Sequence, residues 1–179
     1  TQNSRTRQIT LIGLMTAITC ILAPLSIPLP FSPVPISLTN LVIFISVFIL
    51  GMKDATISFL IYLLLGSVGL PVFASFHAGL SVLAGPTGGY LIGFIFLALI
   101  QGFAMKYFDR KLIPTIIGML IGMAVCYIFG TVWLAKLMSL SFKEGLFMGV
   151  IPYLPGDAVK IIIAVIVGPK LYAATKKVR

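Results

Sequence analysis

Acidic side chains are the scarcest component of this sequence. Asp and Glu together number 4 among 179 residues, and charged residues of both signs make up only 9%. A soluble domain is about a quarter charged and at most about half apolar. Here 59% of residues are hydrophobic, so the deficit of charge marks an integral membrane protein. Histidine occurs once, as His77. It lacks companion ligands and reads as a hydrogen-bonded or exposed loop residue rather than a metal ligand. Cys20 and Cys126 each lie inside an apolar run, have no metal-ligand spacing and make no disulfide framework, so both read as small apolar residues. There is no Walker-type G-x-x-x-x-G-K-[ST], no H-E-x-x-H and no G-x-S-x-G. Intramembrane aspartyl proteolysis needs two Asp at membrane depth, and Asp54 and Asp109 both fall in charged turns. The apolar runs also lack the ten-residue alternation of a membrane barrel, so the spans are helices.

What is present divides into apolar runs and unusual breaks. The length suits a single membrane-embedded domain over 1–179, an all-α bundle of six transmembrane helices of roughly 20 residues each. The expected helices run over about 9–25, 37–50, 55–65, 90–107, 114–137 and 157–172, with Gly51-Met52-Lys53-Asp54 as a tight turn before the third. The second and third are short for spans, so a count of five stays open beside six. The first follows Arg5 and Arg7, and prolines rather than a cleavage site come after it, so it is a membrane helix and not a signal peptide. Gly13 and Ala17 give it a small-xxx-small face that admits a close neighbour, either a helix of the same chain or a partner subunit.

Two breaks stand out. Ser26 to Pro35 contains four prolines and no charge. Helix is forbidden there, and so apolar a loop must pack on something, as a lid or a plug. Gly66 to Gly89 contains six glycines and no Lys, Arg, Asp or Glu. Irregular backbone at membrane depth is tolerated only against protein or a water-filled cavity, and a binding cavity explains it. Ser139 to Pro155 reads as a loop with a short amphipathic piece at Lys143-Glu144.

The third landmark is Leu154-Pro155-Gly156-Asp157-Ala158-Val159-Lys160. Asp157 opens the last apolar run, and Lys160 shares its helical face three residues on. Ionisable groups at membrane depth are costly and are candidate functional sites; an N-cap paired with Lys160 is the structural alternative. With six spans, 10 of the 13 basic residues fall on one side, and 3 (Lys136, Lys143 and Lys160) lie on or near the other. That bias puts both termini in the cytoplasm. The net charge of +9 therefore reports orientation, and nucleic acid is not an expected partner. The Pro-rich helix 1–2 loop, the Gly-rich helix 3–4 segment and the Asp157 junction then share the outer face, around a covered pocket.

These landmarks resemble one family. Gly66-x-x-Gly69-Leu70-Pro71-Val72-Phe73, the run Gly79-Leu80-x-x-Leu83-x-Gly85-Pro86-Thr87-Gly88-Gly89-Tyr90-Leu91-x-Gly93-Phe94, Pro33-Val34-Pro35-Ile36-Ser37-Leu38 and Leu154-Pro155-Gly156-Asp157-x-x-Lys160 closely resemble BioY. BioY is the biotin-specific substrate-binding (S) component of energy-coupling factor (ECF) transporters. One departure is Thr39 where the family often has Gln, which leaves a polar contact there to Asn40. The resemblance implies high-affinity biotin binding and uptake at the cell membrane of a prokaryote. It also implies a multi-pass protein with no catalytic role and no cofactor, biotin being the transported ligand. Its implied partners are a transmembrane coupling subunit, on which Gly13 and Ala17 dock, and a pair of ABC-type ATPases on other chains. The S component is expected to topple in the lipid bilayer to carry its substrate inward.

For biotin, Asp157 is expected to accept from the ureido N–H groups, helped by Asn40 or Thr39. Lys160 would hold Asp157 ionised or meet the ligand's carboxylate. Phe73, Phe76, Tyr90 and Tyr127 would wall the rings and the valeryl chain, and Gly85, Gly88 and Gly89 would bring backbone N–H groups close. Two other readings stay open: an intramembrane enzyme using Asp157 and Lys160, and a stand-alone channel or secondary carrier for biotin or another small vitamin.

Overall fold

The computed structural model describes residues 2–177. Arg179, counted above among the basic residues, lies outside the described residues, as does the side chain of Lys177. Eight α-helices and one two-stranded hairpin follow in order: α1 (Gln2–Leu22), β1 (Ser26–Leu29), β2 (Ser32–Ser37), α2 (Thr39–Leu50), α3 (Met52–Ser67), α4 (Leu80–Ala84), α5 (Gly88–Tyr107), α6 (Leu112–Met138), α7 (Phe142–Gly149) and α8 (Leu154–Lys177). Three stretches among the described residues are long and apolar enough to cross a membrane: α5, α6, and the run of α7 and α8 from Phe142 to Lys176.

The expectation of six helices is corrected in two places. A short α4 sits inside the Gly-rich segment. A short α7 sits inside the loop before α8, nucleated by a capping box in which Ser141 and Glu144 satisfy each other's backbone N–H groups. The Pro-rich loop is also more regular than expected. It folds into an antiparallel hairpin pairing Ser26 with Ser37, Ile27 with Ile36 and Leu29 with Ser32. The ladder slips between Ile27 and Leu29, at Pro28, which has no N–H to give. With only two strands, each proline can turn its missing donor to a free edge.

The helices pack by small contacts and by aromatic weight. The most extensive pairing is α5 on α6. A Cβ added at Gly93 would lie 2.9 Å from Cys126 Sγ and 3.0 Å from its Cα. The backbones approach as closely as glycine allows, which is how helices associate where no hydrophobic drive separates lipid from protein. Gly93→Leu is therefore expected to wedge the seam open and cost about 1–3 kcal/mol or more, read as a lower unfolding temperature of the purified protein in detergent. Phe44, Phe59, Tyr62, Phe73, Leu97 and Met119 belong to one core cluster where α2, α3, α5 and α6 meet. Gln101 is fully buried in α5 and donates to the Phe44 carbonyl of α2 at 3.1 Å.

Each end of this bundle is tied differently. At one end, Gly51 adopts φ 81°, a conformation open to glycine, and lets α2 turn directly into α3. Beside it, Arg110 donates to the Phe48 carbonyl at 2.7 Å and stacks 3.8 Å over the Tyr172 ring. This cation satisfies a carbonyl at the C-terminal end of α2. At the other end, the hairpin, the Gly-rich segment and the start of α8 come together.

Helix α1 buries Met15, Thr16 and Thr19, and Thr16 shares a hydrogen bond with Ser58 Oγ of α3 at 2.9 Å. Gly13 and Ala17 lie on its opposite, exposed side. A Cβ at Gly13 would meet nothing within 4 Å. Among the described residues, no helix of this chain seats on the small-residue face at Gly13.

Candidate functional site

The convergence at that end encloses a cavity of about 450 Å³, lined by the hairpin, the start of α2, the Gly-rich segment, α5, α6 and the start of α8. That volume suits a small organic ligand. Helix α8 begins at Leu154, three residues earlier than expected. Asp157 therefore does not cap the helix; it stands within the first turn and points into the bundle. Its Oδ1 accepts from Asn40 Nδ2 at 2.7 Å and from Lys160 Nζ at 2.9 Å. Its Oδ2 accepts from the Tyr127 hydroxyl.

The Lys160 ammonium donates twice more, to the Ser37 carbonyl at 2.6 Å and to Asn40 Oδ1 at 3.0 Å. An ammonium has three N–H groups and a carboxylate about four acceptor positions. Lys160 is thus saturated by protein, while Asp157 keeps one position to offer. Both side chains are only 10% exposed. A pair this buried holds together because its charges are opposed and its donors are met.

Thr39 is buried beside this network and accepts from Ser37 Oγ at 3.0 Å. Phe73, Tyr90, Tyr127 and Gly85 stand in the cavity wall. Phe73 is held edge-on to Tyr62, with ring centroids 5.6 Å apart. The Gly85 carbonyl accepts from the Trp133 indole at 2.9 Å, which fixes the Gly-rich segment to α6.

The cavity is not lined by Phe76, Gly88 or Gly89. Ser75 and Phe76 both adopt left-handed backbone, with φ 58° and 60°. The Phe76 side chain stands 63% exposed. Gly88 and Gly89 are buried where α5 begins: an added Cβ at Gly88 would strike the Leu83 carbonyl, and one at Gly89 would strike Trp133. Both act in packing. His77 is an exposed loop residue whose Nδ1 lies 2.9 Å from the Ala74 carbonyl, as its isolation implied.

A family model described as the BioY family matches residues 1–177. The chain belongs to the BioY family. It is 32% identical to the biotin transporter BioY2 of Lactococcus lactis over 97% of this chain and 94% of that protein. It is 34% identical to the biotin transporter BioY of Thermotoga maritima over 92% and 95%. The crystal structure of the S-component for biotin from an ECF-type ABC transporter superposes with a TM-score of 0.89 at 32% identity, covering 96% of this chain and 93% of that one.

Three groups of this BioY cavity escaped the reading of the residues. The Ser37 carbonyl has no signature in a sequence. Met123 and Cys126 were absorbed into an apolar run; a signal existed in the spacing Gly122-x-x-x-Cys126-x-x-x-Gly130, which puts Cys126 on the face that meets α5. Tyr153 stands four residues before Asp157, one helical turn away. Pro155 made that stretch look like loop.

Proposed function

We propose that this chain binds biotin as the substrate-specific S component of an ECF-type transporter, with transport energised by ATPases on other chains. The observation that carries this reading is the hydrogen-bonded Asp157–Lys160–Asn40–Tyr127 network set in the wall of an otherwise apolar cavity. Biotin has apolar rings and an apolar chain, with a ureido group bearing two N–H donors and one carbonyl. The free acceptor position of Asp157 suits a ureido N–H, and the aromatic wall suits the rings. Because the three N–H groups of Lys160 are already given, its role is to orient Asp157 rather than to meet the ligand's carboxylate. The names of the relatives and of the superposed S component support the same ligand.

The finer membrane picture follows from it. Helices α1, α2, α3, α5, α6 and α8 are the six spans. Both termini and the turns at Gly51 and Asp109 face the cytoplasm, where most Lys and Arg lie. The hairpin, the Gly-rich segment and the cavity face outward. The open Gly13–Ala17 face of α1 docks on the transmembrane coupling subunit.

Uptake by proteoliposomes tests the reading. Biotin accumulation is expected only when the chain is reconstituted with a coupling subunit, its ATPases and ATP. Accumulation by the chain alone would favour the stand-alone carrier.

A further inference from the structure

We propose that Tyr153 is a positioning residue that latches the β1–β2 hairpin shut over the cavity and thereby sets how fast ligand enters and leaves. The hairpin is one wall of the cavity, through Ser32, Pro33, Val34 and Pro35. Among the described residues its sheet has only two strands. Such a hairpin is marginal without other support, so its closed position depends on what ties it down.

The ties are few. At the base, Ser26 Oγ shares a hydrogen bond with Ser75 Oγ at 2.8 Å, and Ser75 N–H donates to the Pro24 carbonyl at 3.1 Å. At the far end of β2, Lys160 donates to the Ser37 carbonyl. At the tip, the Tyr153 hydroxyl shares a hydrogen bond with Ser32 Oγ at 2.8 Å and donates to the Val34 carbonyl. Ser32 Oγ in turn accepts from the Val34 N–H at 3.1 Å, so one buried hydroxyl closes a ring of bonds around the start of β2. The short 3₁₀ turn Ile151–Tyr153 and the start of α8 that follows it therefore grip β2 at both ends, with Tyr153 on Ser32 and Val34 and Lys160 on Ser37.

The two grips differ in consequence. Lys160 belongs to the Asp157 network, so loosening it disturbs the proposed ligand contacts. The Tyr153 hydroxyl makes no bond to that network, and breaking its bonds releases the wall while Asp157 keeps its partners. Removing it should speed entry and exit together.

Tyr153→Phe removes the hydroxyl and keeps the ring. In the ligand-free protein, amide exchange of the hairpin (residues 26–37) is expected to accelerate about three- to tenfold, the scale of one net hydrogen bond, with amides of the α5–α6 seam unchanged. Stopped-flow mixing with biotin, which rests on the ligand reading above, is expected to show both the association and the dissociation rate raised, so that Kd changes less than either. Ser32→Ala, which leaves the Val34 contact, should give a smaller change in the same direction, and it carries the test if Tyr153→Phe does not fold. Unchanged hairpin exchange would overturn the proposal whatever the ligand. Faster dissociation with unchanged or slower association would also overturn it, because the hydroxyl would then act on bound ligand. Failure of the wild-type protein to bind biotin would strike the ligand reading and leave the exchange result to stand.

Discussion

Asp157→Asn is expected to weaken biotin binding by about 30-fold to several thousand-fold, the equivalent of about 2–5 kcal/mol for one partner of a buried, charged hydrogen bond. The substitution keeps the size and removes the charge. Three protein donors converge on this carboxylate: Asn40, Lys160 and Tyr127. An amide has one acceptor oxygen and brings two N–H groups of its own. It cannot take all three donors and a ureido N–H as well, and its NH₂ would face either Lys160 or the Tyr127 hydroxyl. The effect should appear in Kd by calorimetry, with the fold retained by circular dichroism. Wild-type affinity in Asp157→Asn would remove Asp157 from the site.

Lys160→Met is expected to cost more in stability than in chemistry. It leaves the Asp157 carboxylate buried without its counter-charge, and breaking one side of a buried pair costs about 3–5 kcal/mol. It also frees the Ser37 carbonyl and Asn40 Oδ1 from their shared donor. The diagnostic experiment is the double variant Asp157→Asn with Lys160→Met. Replacing both partners removes the uncompensated charge, so the double variant should regain much of the stability lost by Lys160→Met alone. It should still fail to bind biotin, because the acceptor is gone. Denaturation in detergent and calorimetry on the three variants separate the two terms. A double variant as unstable as Lys160→Met would show that Lys160 supports the fold through Ser37 and not through Asp157. One that binds biotin normally would show that the network serves packing alone.

How much of this was legible beforehand depended on which physical signal each element carries. Long apolar runs announce themselves, so α5 and α6 differ from expectation by at most two residues at either end. The pairing of Asp157 with Lys160 was also legible, because i,i+3 spacing on a helix is a geometric statement and so few ionisable groups compete for attention. What failed was short-range backbone geometry. Four prolines correctly excluded helix between Ser26 and Pro35. They said nothing of a hairpin, because hairpin pairing depends on which edge each proline faces. Five residues of α4 and eight of α7 are too few to show a period. Phe76 looked like a cavity aromatic beside Phe73, but two successive left-handed residues, Ser75 and Phe76, leave that ring exposed. Gly88 and Gly89 looked like ligand-approach glycines and are close-packing glycines instead. Composition alone does not separate these uses, since both need the missing Cβ.

The most direct test of the account is a calorimetric titration of the purified wild-type chain with biotin, checked by the fluorescence of Trp133, whose indole is bonded to the Gly85 carbonyl in the cavity wall. Saturable binding of biotin with a matching fluorescence change, and none with riboflavin, is the predicted result. A folded sample that gives neither heat nor fluorescence change with biotin would contradict the assignment of this cavity and its Asp157 network to that ligand.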